Sequence, residues 1–232
     1  MRTLGLLGGM SWESTLPYYR LLNERVRERL GGLHSAKLLL YSVDFAEIEA
    51  LQHRGEWDAA GEILADAAVR LQGAGAQALV ICTNTMHRVA AQVEAATAVP
   101  LLHIADATAR RIHAAGIRSV GLLGTRFTME QAFYRERLER TGLEVFIPDA
   151  NARERIHAVI YGELCMGVIR EESRAFYRQA IEALVERGAQ GVILGCTEIF
   201  LLLGQDDLPG FPVFDTSALH VKAAVDFVLG PA

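Results

Sequence analysis

The sequence contains few of the residues that are typical of secreted or membrane proteins. Its 232 residues include three cysteines, at positions 82, 165 and 196, which are odd in number and far apart. This pattern argues against a disulfide framework and favours a reducing, cytoplasmic location. No apolar run approaches the ~20 residues that a membrane-spanning helix needs, so we expect no membrane partner.

Lysine is scarce as well, since Lys37 and Lys222 are the only two and neither lies in a motif. A pyridoxal phosphate enzyme needs a lysine for its Schiff base, so that chemistry is disfavoured. The seven histidines are dispersed, and no H-x-x-x-H or C-x-x-C pair predicts a metal site. We therefore expect neither a cofactor nor a metal. The net charge of −5 and the dispersed arginines predict no nucleic-acid partner.

An internal repeat runs through the chain. The segment 75–85 (GAQALVICTNT) resembles 188–198 (GAQGVILGCTE) at a constant offset of 113 residues. The segment 3–9 (TLGLLGG) resembles 119–125 (SVGLLGT) at an offset of 116 residues. These short apolar runs alternate with helical periodicity along the chain, which is typical of parallel α/β sheets.

The repeat predicts an α/β protein with two pseudo-symmetric lobes, each a roughly four-stranded parallel sheet flanked by helices. The predicted domains are residues 1–104 plus 216–232, and residues 105–215. The predicted elements include a strand over 100–104 and helices over 128–140 and 156–169. Because ligands bind at the carboxyl ends of parallel strands, we expect the active site in the cleft between the lobes.

The repeat also aligns two candidate catalytic positions. Thr83 lies opposite Cys196, and Cys82 lies opposite Gly195. Side chains alternate along a strand, so only one of Cys82 and Thr83 faces the site. The alignment selects Thr83 and predicts that Cys82 points toward the core.

Cys196 has two interpretations. It precedes an apparent helix over 197–203, and a helix N-terminus stabilises a thiolate and lowers its pKa. The alternative is a buried cysteine that only packs, which is also how we interpret Cys165 in its predicted helix. His87 follows Thr83 closely, and both an orienting role and a direct role stay open.

The segment Gly8-Gly9-Met10-Ser11 ends the first apolar run. It matches neither a P-loop nor G-x-G-x-x-G. A tight turn whose backbone amides face a small anion, such as a carboxylate, fits the residues, and the alternative is a turn without a ligand. Ser11 is predicted to cap the helix that follows.

Three motifs occur in a set order: Gly-Gly-Met at 8–10, Asn-Thr-x-His at 84–87 and Gly-Cys-Thr-Glu at 195–198. Together they resemble the aspartate/glutamate racemase superfamily along nearly the whole chain. Residues 8–15 are similar to the branch of broad-specificity amino-acid racemases that also contains an L-aspartate/glutamate racemase. The resemblance implies a cofactor-independent isomerase with two α/β lobes and a free amino acid as substrate, and it allows a homodimer.

In that superfamily two cysteines flank the α-carbon of the substrate, one removing a proton and the other returning one. The resemblance implies the same roles for Thr83 and Cys196, with Thr83 in place of the first cysteine. It also implies that substrate contacts come from further residues near these motifs. The expected substrate-binding residues are Met10, Gln52, Asn84, Thr85, Thr197 and Glu198.

Two departures from the superfamily pattern concern the substrate. Relatives that act on acidic amino acids carry an arginine after the second strand and a lysine in a Glu-Ile-Lys-x-Gly segment. Residues 43–47 and 163–167 contain neither cation, which argues against an acidic substrate side chain. We expect a racemase that uses α-proton abstraction and reprotonation. The alternatives are a related decarboxylase, a cis–trans isomerase of dicarboxylates, or a non-catalytic amino-acid sensor.

Overall fold

The protein was analysed as a computed structural model, which describes residues 1–230. Cα proximity groups the chain into two compact units. The first unit contains Met1–Ile104 and the residues from His220 onward, and the second contains Ala105–Leu219. The domain boundaries drawn from the sequence stay a prediction.

The first unit is built on a three-stranded parallel sheet with the order β2-β1-β3. Its central strand is wholly buried, because helices cover both faces. The elements are β1 (Leu4–Gly8), α1 (Trp12–Leu30), β2 (Leu38–Ser42), α2 (Phe45–Arg54), α3 (Trp57–Gly73), β3 (Ala78–Ile81) and α4 (Ala90–Ala96).

The core of the first unit follows the alternation of side chains along β3. Leu79 and Ile81 belong to one apolar cluster, which α3 shares. Ala78 and Val80 belong to another, which contains residues of α1 such as Tyr18. The two clusters explain why the strand is an unbroken apolar run in sequence, since both of its faces are buried.

The second unit is built on a four-stranded parallel sheet with the order β5-β4-β6-β7. The last helix, α11, starts in this unit and its residues from His220 belong to the first. The elements are α5 (Ile104–Ala114), β4 (Ser119–Gly124), α6 (Arg126–Glu130), α7 (Ala132–Glu139), β5 (Glu144–Phe146), α8 (Ala150–Gly162), α9 (Glu171–Glu186), β6 (Val192–Gly195), α10 (Ile199–Leu202), β7 (Val213–Asp215) and α11 (Thr216–Leu229).

The fold class is confirmed: two parallel sheets flanked by helices, one in each unit. The predicted fourth strand of the first unit is reduced to a single bridge between Leu79 and Leu101. Its backbone bonds run from Leu79 N to Pro100 O and from Leu102 N to Leu79 O, each 2.9 Å long. The strand extends no further because Ile104 already begins α5.

Two predicted helices are shorter than expected. The helix predicted over 128–140 is interrupted at Gln131, whose extended backbone (ψ 146°) separates α6 from α7. The helix predicted over 156–169 was wrong at its end, because α8 stops at Gly162. Among the described residues, no helix is long and apolar enough to cross a membrane.

Candidate active site

The strands that lead to the candidate residues have equivalent registers in the two sheets. In the first sheet Leu7 pairs with Ile81, and in the second Leu123 pairs with Leu194. These pairs coincide when the offsets of 116 and 113 residues are applied. The repeat in sequence is therefore a repeat in sheet register, which confirms the alignment of the two segments.

Thr83 lies just beyond the end of β3, where its side chain is buried with those of Asn84 and Thr85. A 3₁₀ turn, Thr85–Val89, follows. Within that turn, His87 donates from Nδ1 to the backbone carbonyl of Thr83 at 2.8 Å. The first unit therefore holds the backbone of the predicted catalytic threonine with a buried imidazole.

Cys82 lies in the apolar core, which confirms the prediction that it points toward the core. Its side chain is 1% exposed and packs in the cluster that contains Ala78, Val80 and Tyr18. Burial alone raises the pKa of its thiol far above the ordinary value. Because burial is not offset by a charged neighbour in the described part of the chain, Cys82 is suited to packing and not to proton transfer.

The turn after β1 is hydrogen-bonded to side chains in the first turn of α1. The Gly9 amide donates to Thr15 Oγ1 at 2.9 Å, and the hydroxyls of Ser14 and Thr15 donate to the Ser11 carbonyl. Ser11 caps α1 as predicted, by accepting from the amide of Ser14. The Gly9 N–H is thus already bonded to a side chain of α1, and the expectation that amides of this turn face an anion stays a prediction.

Gln52 and Met10 are both buried in the first unit. Gln52 donates from Nε2 to the thioether of Met86 at 3.0 Å. Met10 belongs to the same apolar cluster as Met86. The hydrogen bond and the shared cluster associate both residues with Met86, which lies in the turn that follows Thr83. Contact of Gln52 and Met10 with a substrate stays a prediction.

Cys196 follows β6 directly and its thiol is paired with a carboxylate. Its Sγ donates to Glu198 Oε2 at 3.0 Å, and the Thr197 hydroxyl donates to the same oxygen at 2.6 Å. All three side chains are buried, with Glu198 4% exposed. A buried thiol that is hydrogen-bonded to a carboxylate has a proton acceptor within reach.

The prediction that a helix N-terminus lowers the pKa of Cys196 is wrong. Burial raises the pKa of this thiol well above its ordinary value, and the negative charge of Glu198 raises it further. The helix cannot compensate, because α10 has only four residues and begins at Ile199. The resting group is therefore a neutral thiol.

Cys165 does not lie in a helix that packs its thiol, contrary to the prediction. It is half-buried in a 3₁₀ turn, Leu164–Met166, which packs against α10. After burial and Glu198, the nearby ionisable thiol of Cys165 also raises the pKa of Cys196. The pKa of the Tyr177 phenol is raised by burial and then by Cys196, Glu163 and Cys165. The side chains that raise the pKa values of Cys196 and Tyr177 are therefore all carboxyl or thiol groups.

Tyr177 and Cys165 were not singled out as site residues from sequence. Tyr177 lies on the buried face of α9 and donates to the Ile156 carbonyl at 3.2 Å. Its position resembles that of any core tyrosine in an amphipathic helix, so no sequence signal marks it. Cys165 stands at the lysine position of the superfamily segment, and that departure was the one available signal.

Among the described residues, no cluster of three His, Cys, Asp or Glu side chains is arranged to hold a metal ion. The candidate acid–base groups predicted from the sequence are a thiol paired with a carboxylate after β6 and a hydroxyl after β3. Such groups can remove and return a proton at a carbon atom without a bound metal.

The chain is similar to known proteins over nearly its whole length. Residues 7–224 match the Asp/Glu/Hydantoin racemase family. The broad specificity amino-acid racemase RacX of Bacillus subtilis (strain 168) is 25% identical over 97% of this chain and 98% of its own. A crystal structure from Yersinia pestis, provisionally named an Asp/Glu racemase, is 57% identical with a TM-score of 0.92 over 99% of this chain and 100% of its own.

An aspartate racemase homologue from Pyrococcus horikoshii OT3 is 36% identical with a TM-score of 0.85, over 98% of this chain and 99% of its own. The family match and these relatives extend over both units and include both strand ends. The chain therefore belongs to the Asp/Glu/Hydantoin racemase family.

Proposed function

We propose that the protein is a cofactor-independent amino-acid racemase, which interconverts L- and D-amino acids with Cys196 and Thr83. The observation that carries the proposal is the buried Cys196 thiol donating to Glu198, at the strand end equivalent to that of Thr83. The name of RacX, a broad specificity amino-acid racemase, supports the same activity.

The first step removes the α-proton of the L-amino acid. The Cys196 S–H bond breaks and its proton passes to Glu198, over the 3.0 Å that separates Sγ from Oε2. The thiolate then takes the α-proton, so a C–H bond breaks and a new S–H bond forms. The electron pair of the C–H bond moves into the substrate carboxylate as an enolate.

The raised pKa of Cys196 has an advantage for this step. An α-proton of an amino acid is a far weaker acid than a thiol, and a proton transfer is easier when the two pKa values lie closer together. Burial makes the thiolate rarer but more basic once it forms. Glu198 is the acceptor that takes the thiol proton, and its own charge is neutralised when it does so.

The second step returns a proton to the opposite face of the α-carbon. The Thr83 O–H bond breaks, a C–H bond forms, and a water molecule protonates the Thr83 oxygen again. Glu198 releases the proton that it took from Cys196, which neutralises the resulting hydroxide, and Cys196 keeps the former α-proton as its S–H. A hydroxyl is a poor base in the reverse direction, so we expect D-to-L conversion to be slower than L-to-D conversion at initial rates. Free enantiomers still reach a one-to-one equilibrium, so the asymmetry is only kinetic.

The remaining predicted residues bind the substrate in this proposal. Backbone amides near Met10, Asn84, Thr85 and Thr197 hold the carboxylate and the negative charge that develops on it. The Glu198 carboxylate repels a second substrate carboxylate placed beside the thiol. We therefore propose a neutral side chain on the preferred substrate.

The test is a screen for α-proton exchange in heavy water over the protein L-amino acids and their D forms. The wild-type protein is expected to incorporate α-deuterium, and Cys196→Ala is expected to lose exchange from the L side. Carbon dioxide release would identify a decarboxylase instead, and maleate conversion an isomerase. Tight binding without exchange would identify a sensor and contradict the proposal.

A further inference from the structure

Three buried histidines of the first unit, His87, His103 and His220, lie close together although they are dispersed in sequence. The ring of His87 lies 4.4 Å from that of His103 and 5.6 Å from that of His220, measured between centroids. All three side chains are at most 5% exposed. The proposed chemistry uses none of these imidazoles directly, which leaves the purpose of the cluster to be explained.

The hydrogen bonds of His87 define its tautomer. Its Nδ1 lies 2.8 Å from the Thr83 carbonyl, which can only accept, and its Nε2 lies 3.2 Å from the Ile104 amide, which can only donate. A neutral imidazole with its proton on Nδ1 satisfies both bonds. His87 therefore joins the backbone of Thr83 to the backbone of Ile104.

The segment that His87 contacts is itself held in place. The Leu102 amide donates to the Leu79 carbonyl at 2.9 Å, on β3. The Leu102 carbonyl accepts from His220 Nε2 at 2.6 Å, and the Tyr18 hydroxyl donates to His220 Nδ1 at 3.0 Å. The bond from His87 to Ile104 thus connects Thr83 to a part of the unit that is fixed on several sides.

We infer that His87 is a positioning residue that holds Thr83 for the reprotonation step. The inference rests on the proposed racemase function. Thr83 lies beyond the last ladder bond of β3, so its backbone is fixed by His87 and not by the sheet. In the second unit the position equivalent to His87 is Phe200, and the thiol there has Glu198 as its partner instead. Loss of His87 should therefore affect reprotonation more than abstraction.

The test follows two reactions of one L-amino acid in heavy water, namely the one that the wild-type protein exchanges fastest. Exchange with retention reports abstraction by Cys196, and formation of the D enantiomer reports delivery from Thr83. In His87→Gln the side chain keeps an acceptor for Ile104 and loses the donor to Thr83. The ratio of exchange to inversion should rise about 10- to 100-fold, because a small misplacement of a reacting group costs rates of that order.

Two further variants separate positioning from a merely structural role. His87→Asn places an amide donor near Nδ1 and should keep the ratio close to wild type. Val26→Ala loosens the core of the first unit at α1, outside this chain of hydrogen bonds, so it should lower the melting temperature and leave the ratio unchanged. The ratio is measured within each sample, so partial unfolding does not alter it.

An unchanged ratio in His87→Gln, together with wild-type exchange, would overturn the inference and leave the proposed function standing. A ratio that rises equally in Val26→Ala would overturn it too, because the effect would then come from loosened packing. A wild-type protein that exchanges no α-proton would overturn the proposed function, and this inference with it.

Discussion

The ends of β3 and β6 share a sheet register but carry different side chains. Thr83 stands opposite Cys196, and Thr85 stands opposite Glu198. The thiol has a carboxylate as its hydrogen-bond acceptor, whereas the threonine has its backbone held by His87. One strand register thus carries two different polar side chains, and in the proposed reaction they would serve the two faces of one carbon differently.

A second comparison concerns the two fully buried cysteines. Burial raises the thiol pKa of both Cys82 and Cys196. Cys82 lies among aliphatic and aromatic side chains, while Cys196 donates to Glu198. Burial is therefore common to both thiols. They differ in that Cys196 has a carboxylate acceptor, and this is why we propose Cys196 as the reactive one.

The largest effect is expected from removing that acceptor. Glu198→Gln keeps the shape of the side chain but cannot take the thiol proton, so α-proton exchange from the L-amino acid should fall about 100-fold. Glu198→Asp should recover part of the rate. Asp207→Asn is the control, since that carboxylate pairs with Arg174 and Arg178 instead. An exchange rate in Glu198→Gln equal to that of the wild type would contradict the proposal that Glu198 accepts the Cys196 proton.

A smaller effect is expected from making the two strand ends alike. Thr83→Cys supplies a thiol where the proposal has a hydroxyl, and a thiolate is a far better base than a hydroxyl at neutral pH. The D-to-L rate should rise about 10-fold, at the low end of the contribution of a positioned acid–base group. Initial rates from both enantiomers measure this, with Thr83→Ser as the control. No gain would contradict the equivalence of Thr83 and Cys196.

The smallest effect on activity is expected at Cys82. Cys82→Ala should keep the wild-type exchange rate and lose about 1 kcal/mol of stability through lost packing. Its pH dependence tests the burial of the thiol. In the unfolded chain a thiol ionises near a pKa of about 8.5, whereas burial keeps the pKa of folded Cys82 far higher.

The stability that neutral Cys82 contributes is thus fully present below about pH 8.5 and is lost as pH rises above it. Urea unfolding above that pH should show the wild-type free energy falling more steeply than that of Cys82→Ala. The difference should be about 1.4 kcal/mol per pH unit, the value for one proton. Equal slopes would mean that folded Cys82 ionises as readily as unfolded Cys82.

Much of the sheet arrangement was predictable from the sequence, because the repeat consists of short apolar segments. Each run ends at glycine or polar residues, so the strand ends and their register follow from sequence. The choice between Cys82 and Thr83 follows from the alternation of side chains along a strand. The fourth strand of the first unit was overpredicted, because a short apolar run does not reveal where α5 begins.

The ionisation of Cys196 was not predictable in the same way. The pattern after β6 indicated a longer helix, and the depth of burial depends on packing of the whole unit. The histidine cluster is a further example, since His87, His103 and His220 are brought together only by the fold. Contacts between residues far apart in sequence carry no local signal.

The most direct test of the two-sided mechanism compares Thr83→Ala with Cys196→Ala in heavy water, starting from the L-amino acid. We predict that Thr83→Ala still exchanges the α-proton with retention and forms no D enantiomer. Cys196→Ala should lose both exchange and inversion. Equal loss of exchange in the two variants, or exchange that survives in Cys196→Ala at the wild-type rate, would contradict the assignment of Cys196 to the L face and Thr83 to the other.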